Sequence, residues 1–553
     1  MIIVIPDIKT EIGNNMKDIF LTTYANNIYK NRYSLDGAEK WADTCKRVIE
    51  NVTGQYLSNE DKQVIHDYML ARKFIPAGRY LYGSGREFHN VKNCFAFKAE
   101  DTREGWGELL NKVAVTSMTG GGCGVVYSNL RPSGAIIKRT GGVSSGPIPL
   151  IHAVNETCRY IKQGGSRRAA LWAGLSWSHK DIFDYMRIKN WDESLVALKD
   201  INPDTNMPLE LTNISVIYDT DFFVAMERGN HPLHSHAKSV WEANCLQAFA
   251  SGEPGFCFNF LKDSEDLRNP CSEFLTDTDS DSCNLGTIFI NAFSDRDDFQ
   301  RCVKYATMFL ICGNLYSNYP TSRMKDVAML GNRIGLGIGG IHEWMIRRGF
   351  EYEVTPELHK WLSVYKDESD SSAYIFAKDI GVPIPKAKRA IAPNGTISAL
   401  AETTSGIEPL FCKAYKRKYD NNGTWVYEYV IDGAIKKLIN EKIDISKIQD
   451  AYDVEFKQRV KVQADIQRYI DMAISSTCNL PEWGGEKNNA TTLKEYSKQL
   501  LKYAKKLRGF TCYPDGARKG QPLERVDLNE ALKQEGKVFE YKEDHCASGS
   551  CSL

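Results

Sequence analysis

The stretch Ser282-Cys283-Asn284-Leu285-Gly286 leads into Gly286-Thr287-Ile288-Phe289-Ile290, a β-branched and aromatic run that reads as a strand. A helical pattern over Phe299–Tyr316 follows it. The same alternation recurs upstream. Cys94-Phe95-Ala96-Phe97, Gly124-Val125-Val126-Tyr127 and Ile214-Ser215-Val216-Ile217-Tyr218 read as strands, and Pro149–Gln163 and Phe222–Arg228 as helices. Strands separated by helices predict an α/β fold with much parallel pairing.

Working outward, no Pro/Ser/Gly-rich linker interrupts residues 76–500, so residues 76–514 are taken as one large domain. Residues 1–75 read as a small N-terminal helical region. Ala38, Trp41, Cys45, Val48 and Ile49 share one helical face, and Ser58-Asn59-Glu60-Asp61-Lys62 opens a second helix with capping residues. Residues 515–553 carry Gly516, Gly520, Gly536 and Gly549 among many charges, which predicts a flexible C-terminal tail. That tail ends Cys546-Ala547-Ser548-Gly549-Ser550-Cys551-Ser552-Leu553.

Composition bounds the function. The 553 residues are 42% hydrophobic and 25% charged, which excludes a largely disordered chain. Lys+Arg and Asp+Glu both total 70, so no bulk charge attracts nucleic acid or an anionic membrane. No apolar stretch is long enough to span a bilayer, and the opening Met1–Thr10 lacks the basic leader of a signal peptide. Fifteen cysteines, an odd number, then point to a reducing, cytoplasmic setting where they serve as thiols, ligands or catalysts.

Asn269-Pro270-Cys271-Ser272-Glu273 places an amide, a thiol and a carboxylate at alternate positions. In an extended chain these three share a face, a usable acid–base and thiol unit. Taken alone, the pentapeptide reads more readily as a surface loop with a buried cysteine. Cys94 and Cys283 sit at strands, and each alone reads as structural. Cys546 and Cys551 are close enough to form a disulfide that a tail could carry to another site. Half a zinc site beside His545 is the weaker alternative, since no second ligand pair lies nearby. Ala392-Pro393-Asn394-Gly395-Thr396-Ile397-Ser398 opens a helix with hydroxyl donors, suited to a phosphate or to ordinary capping. Gly335–Gly340 fits G-x-G-x-x-G, but no clear apolar strand precedes it, so nicotinamide binding is a minor alternative.

Taken in order, these strings resemble ribonucleotide reductase catalytic chains, from about residue 72 to 520 plus the tail. The set includes Asn93-Cys94-Phe95, Thr119-Gly120-Gly121-Gly122-Cys123-Gly124, Leu130-Arg131-Pro132-Ser133-Gly134 and Ser145-Gly146-Pro147. It continues with Gln163-Gly164-Gly165-Ser166-Arg167-Arg168, Asn269–Glu273, Ser282–Gly286, Arg333–Gly337 and Pro393–Ser398. It closes with Ser405–Pro409, Ala473–Pro481 and Tyr513–Gly516. The chain is most similar to the class II branch, which depends on adenosylcobalamin. Class I large subunits, the alternative, take their radical from a separate subunit through adjacent tyrosines, and this sequence has no Tyr-Tyr pair. Class III members carry a glycyl-radical motif that is not seen here.

The resemblance implies a ten-stranded α/β barrel of two five-stranded halves around a central finger loop. It implies that Cys271 carries a thiyl radical that takes the 3′ hydrogen of the substrate ribose. Glu273 matches the base at the 3′-OH and Asn269 the partner of the ribose hydroxyls. Cys94 and Cys283 match the pair that reduces the 2′ position and ends as a disulfide, and Cys546 and Cys551 the pair that re-reduces it. Substrate contacts are implied at Asn93, Cys94, Gly124, Asn269–Glu273 (Ser272 included) and Pro393, Asn394, Gly395, Thr396, Ile397 and Ser398. Gly164, Gly165, Ser166, Arg167 and Arg168 match a loop that reads a nucleotide effector. The implied cofactor is adenosylcobalamin, with Mg beside the nucleotide phosphates and no metal held by protein ligands. The implied partners are a ribonucleoside di- or triphosphate and a thioredoxin-like reductant, in a monomer or homodimer. Ser272 departs from the family where Gly is common, and Arg79 where small hydroxyl residues help to hold phosphate. The sequence leaves no room for an N-terminal ATP-binding cone.

Overall fold

The computed structural model describes residues 20–138, 141–163, 167–202, 205–259, 265–421, 424–446, 448–517, 523–535 and 537–540. Ten strands form one sheet. They are β1 (Phe74–Pro76), β2 (Cys94–Lys98), β3 (Gly122–Val126), β4 (Leu171–Ser176), β5 (Thr212–Tyr218), β6 (Gly255–Phe258), β7 (Asp281–Phe289), β8 (Ile334–Gly339), β9 (Thr477–Leu480) and β10 (Gly509–Pro514). The α/β class expected from the sequence is the class the chain adopts.

Strands β2 to β6 pair in order, all parallel. β7 pairs parallel with β8, and β9 with β10. Single parallel bridges, Leu336 to Arg389 and Ile391 to Ile474, carry the pairing from β8 through residues 389–391 toward β9. The two parallel groups meet antiparallel at β7–β2 and at β10–β6. Parallel neighbours need long crossovers, and helices supply them: Arg103–Met118 between β2 and β3, Ile148–Arg159 before β4, His234–Ser251 before β6 and Arg296–Tyr316 between β7 and β8.

Side-chain alternation sorts the two faces of the strands. Phe95, Phe97, Cys123, Val125, Leu171, Ala173, Val216, Tyr218, Phe256 and Phe258 pack in one cluster with helix residues such as Leu109, Leu150, Val154 and Trp241. The alternate residues Cys94, Ala96, Val126, Trp172, Ile217, Cys257, Cys283 and Leu285 form a second cluster, which also takes in Leu267, Phe274 and Leu275. Those last three belong to a short hairpin in which Leu275 pairs with Arg268 and Thr276 with Leu267. The inner faces of strands from both parallel groups therefore close on this hairpin, whose tip is Asn269–Glu273.

The N-terminal helices Trp41–Thr53 and Asn59–Leu70 bury Trp41, Cys45, Val48, Ile49 and Ile65, as the spacing predicts. Ala38 is exposed, ahead of the helix. These residues share one core with Phe289, Phe309, Leu336 and Trp344, so the described part of residues 1–75 packs as part of the large domain. Gly335–Gly340 holds no dinucleotide turn. Gly335, Gly337 and Gly339 lie within β8, where a Cβ would meet Leu285, the Ala390 carbonyl or the Phe289 ring at 2.5–2.8 Å.

The expected loose tail is ordered in part. Leu523–Arg525 and Val538–Glu540 flank the hairpin Ala414–Asn421/Thr424–Ile431 in a second, four-stranded sheet. The helix Leu528–Gln534 buries Ala531 against that sheet, and the Phe539 ring stacks on Tyr427 at 5.1 Å. The segment has few large apolar residues, but the hairpin edges satisfy its backbone and the hairpin tyrosines cover it. Cys546 and Cys551 lie outside the described residues.

Candidate active site

The hairpin tip is a turn and not the extended chain the sequence suggested. The Ser272 amide bonds to the Asn269 carbonyl at 3.0 Å, and Ser272 has φ +64°. That left-handed conformation favours glycine and explains why Gly would be common at this position. The turn is pinned from several sides. The Ala473 amide bonds to the Glu273 carbonyl at 2.9 Å, and Asn213 Nδ2 reaches the Pro270 carbonyl at 3.4 Å. Buried Arg268 donates to the Ser272 and Phe258 carbonyls and, at 2.7 Å, to Asn259 Oδ1. The Asn269 carbonyl side chain accepts from the Phe274 amide at 3.0 Å.

A cavity of about 760 Å³ opens over this tip, and Asn269, Pro270, Cys271 and Glu273 line it together with Asn93 and Cys94. That volume falls in the range of small-molecule sites. Among the described cysteines Cys271 alone is exposed, and it is exposed to the cavity. Protein otherwise surrounds it, and burial pushes its thiol well above the usual range, with the Glu273 carboxylate adding to the effect. Asn269 Nδ2 donates to Cys94 Sγ at 2.8 Å, and Cys94 Sγ lies 3.6 Å from Glu273 Oε1. Glu273 is buried with Oε2 unpartnered, and burial raises its carboxyl above the ordinary carboxylate range.

Cys283 does not line the cavity; it lies directly across the β7–β2 seam from Cys94. Residues so opposed have Cβ atoms about 4.5–5.5 Å apart, close to what a disulfide spans. Both are buried and free, and burial raises both thiols. Raised thiols stay as S–H at neutral pH, which disfavours thiolate attack and suits hydrogen-atom transfer.

The phosphate-like segment reaches the same cavity through Pro393, Asn394, Thr396 and Ile397. A helix begins at Gly395, so the first-turn amides lack intrahelical partners. Asn394 is held by Ser398 and Ser405, whose hydroxyls donate to its Oδ1 at 2.9 and 2.7 Å. Gly395, Ser398, Ser272 and Gly124 do not line the cavity. Gly124 instead gives the hairpin room, since a Cβ there would sit 1.8 Å from the Arg268 carbonyl oxygen. Of the candidate effector loop, the Arg167 and Arg168 backbones pair with Gln163 and Lys162, and Gly164, Gly165 and Ser166 lie outside the described residues. Arg79 lines the cavity and donates to the Asn90 and Thr119 carbonyls at 3.1 and 2.9 Å.

Sequence reasoning missed one side of the cavity. The helix Thr23–Arg32 and the residue after it contribute Tyr24, Asn27, Asn31, Arg32 and Tyr33, and the second sheet contributes Arg417. Tyr33 hydroxyl pairs with Thr396 Oγ1 at 2.9 Å, across 363 residues of chain. The i, i+4 spacing of Asn27 and Asn31 was the sole local signal. Among the described residues no cluster of three His, Cys, Asp or Glu could hold a metal ion, and no helix is long and apolar enough to cross a membrane.

The family model for the ribonucleotide reductase barrel domain matches residues 92–245, 234–359 and 387–513. The chain belongs to the ribonucleotide reductase family. A vitamin B12-dependent ribonucleoside-diphosphate reductase of Thermoplasma acidophilum is 28% identical over 542 residues, covering 86% of this chain and 68% of that protein. One from Mycobacterium tuberculosis is 26% identical over 546 residues, covering 87% and 75%. Among solved structures, the class Id ribonucleotide reductase alpha subunit of Actinobacillus ureae shares the fold, with a TM-score of 0.71 at 16% identity over 90% of this chain and 97% of that one. Within this reductase fold the hairpin packs against the inner strand residues, and its cysteine meets the cavity.

Proposed function

We propose that the chain is an adenosylcobalamin-dependent ribonucleotide reductase, converting ribonucleoside di- or triphosphates to 2′-deoxyribonucleotides. The observation that carries this reading is the gathering of Cys271, Glu273, Asn269 and Cys94 at one cavity, with Cys283 paired to Cys94 behind it. The names of the relatives favour the cobalamin branch over a class I subunit. The residues present fit that cofactor. The cysteine that must receive the radical is exposed to the cavity, while Cys94 is buried at the cavity wall and Cys283 does not line it. Tyr24, Asn27, Asn31 and Arg417, on the N-terminal and second-sheet side, are the cavity residues that would hold it. The bound cofactor supplies the unpaired electron that the side chains cannot generate.

The chain's own residues do the rest. Cys271, kept as a thiol, gives up its hydrogen atom and takes the one at the ribose 3′ carbon. Glu273, its carboxyl raised by burial above the ordinary carboxylate range and Oε2 without a hydrogen-bond partner, accepts the 3′-hydroxyl proton. Asn269 holds both the Cys94 sulfur and the hairpin backbone in place. Cys94 and Cys283 deliver two electrons to the 2′ position, release water and close as a disulfide. The phosphates lie at Pro393–Ile397, and a dithiol, the Cys546/Cys551 pair or a thioredoxin-like donor, reopens the disulfide.

Purified full-length chain supplied with adenosylcobalamin, dithiothreitol and a ribonucleotide should form deoxyribonucleotide, and Cys271→Ser should abolish it. Product that appears only after a separate metal-containing subunit is added would overturn the cobalamin assignment. Turnover that survives Cys271→Ser would overturn the radical reading.

A further inference from the structure

Lys92 is fully buried two residues before Cys94, and nothing in the scheme above uses it. Its ammonium donates to Asn314 Oδ1 and lies 5.5 Å from the centre of the Tyr319 ring. The same Asn314 oxygen accepts from Asn284 Nδ2 at 2.9 Å. Asn284 follows Cys283, and its carbonyl accepts the Cys283 thiol at 3.0 Å. One amide oxygen thus joins the lysine to the residue that holds the Cys283 sulfur. Among the described residues no carboxylate makes an ion pair with Lys92. A buried ammonium without such a partner is costly, so its position calls for a use.

The charges around the two sulfurs are unequal. Lys92, Glu273, Asp281 and Arg333 all act electrostatically on the Cys283 thiol. Asp281 and Arg333 pair with each other at 3.0 Å, both buried, which leaves Lys92 as the cation not matched by a carboxylate of its own. Glu273 is nearest to Cys94, at 3.6 Å. Cys94 also lines the cavity, and Cys283 does not. Burial lowers the Lys92 pKa to about 8, with Cys283 and Asp281 working against that, so it remains a cation at neutral pH.

We propose that Lys92 is a positioning residue for reduction of the Cys94–Cys283 disulfide: its buried charge draws the departing electron pair onto Cys283, so that the incoming thiol becomes joined to Cys94. The proposal rests on the reading of that pair given above. The thiolate of an external dithiol attacks Cys94 Sγ. The Cys94–Cys283 bond breaks, its electron pair stays on Cys283, and a new bond joins the reductant to Cys94. The second thiol of the reductant then attacks its own first sulfur, which frees Cys94. The reductant ends as a disulfide, and its two thiol protons end on Cys94 and Cys283. A cation linked to the leaving sulfur through Asn314 and Asn284 speeds the first step, because a better-stabilised thiolate leaves faster.

The test uses the full chain carrying Cys546→Ser and Cys551→Ser, oxidised and then reduced with dithiothreitol, with thiols alkylated at intervals and mapped by mass spectrometry. Lys92→Met should slow reduction about fivefold below pH 7. The difference should fade above about pH 8, where the wild-type lysine loses its own charge. Lys92→Gln can still donate to Asn314 but carries no charge, and it should match Lys92→Met. Glutathione, a single thiol, should be trapped on Cys94 in the parent and, more slowly, in Lys92→Met. Equal rates in parent and Lys92→Met, recovery of the parent rate by Lys92→Gln, or glutathione on Cys283 of the parent would each overturn the proposal. If Cys94 and Cys283 never form a disulfide, the reading of the pair fails, and this inference with it.

Discussion

Gly124→Ala tests the placement of the hairpin by adding one methyl group to β3. A Cβ at this position would lie 1.8 Å from the Arg268 carbonyl oxygen, 2.7 Å from its carbon and 3.0 Å from Asn269 Cα. All three are backbone atoms, so no rotamer change relieves the clash. Bringing the oxygen out to 3.0 Å, the nearest approach real Cβ atoms make, requires a shift of about 1.2 Å in a packed interior. Arg268 immediately precedes Asn269, and the hairpin is tied to the wall at Ala473, Asn213 and Asn259, so the displacement is passed to the Cys271 turn. Overpacking of this kind costs about 1–3 kcal/mol of stability. Misplacing reacting groups by about 1 Å costs on the order of 100-fold in rate. The variant should therefore fold, unfold at lower denaturant, and lose about 100-fold in kcat in a deoxyribonucleotide-formation assay. Gly107→Ala is the control. It sits on the exposed face of helix Arg103–Met118 with nothing within 4 Å of its Cβ. It should gain up to about 1 kcal/mol and keep full turnover. Wild-type kcat in Gly124→Ala, with undiminished stability, would refute the account of how the hairpin is seated.

Three other outcomes follow from the site and its surroundings. Glu273 accepts a proton only while ionised, and burial raises its carboxyl, so kcat/KM should fall as pH drops through a value above the ordinary carboxylate range; Glu273→Gln should abolish turnover while leaving nucleotide binding measurable by calorimetry. Tyr33→Phe removes the hydroxyl that pairs with Thr396 at 2.9 Å; loss of about 0.5–1.5 kcal/mol should raise KM several-fold with a smaller change in kcat. Buried His342 accepts the Leu410 amide at 2.8 Å, and burial lowers its pKa to about 3. The unfolded chain takes up the imidazole proton near pH 6.5 and the folded chain does not, so this group costs about 1.4 kcal/mol of stability per pH unit below pH 6.5, down to its folded value. His342→Gln should remove that dependence, read as the difference between the two denaturation profiles from pH 7 to pH 5.

What the sequence determined by itself was local. Strand runs such as Ile214–Tyr218 are legible from their β-branched and aromatic content, and helices such as Phe299–Tyr316 from the spacing of their apolar residues. The ordered set of strings from residue 72 to 520 was enough to name the family. The turn at Ser272 was not legible, since its positive φ comes from Arg268 and from anchors far away in the chain. Nor was the wall supplied by Asn27, Asn31 and Tyr33, or the helix and two strands within 523–540, whose few apolar residues find a hairpin roughly a hundred residues upstream. Lys92 carries no signal in the sequence, and only its burial against Asn314 and Tyr319 marks it. The physical reason is the same in each case. Periodicity is a property of neighbours along the chain, whereas a cavity, its charges and its seam are set by residues hundreds of positions apart that the ten-stranded sheet brings together.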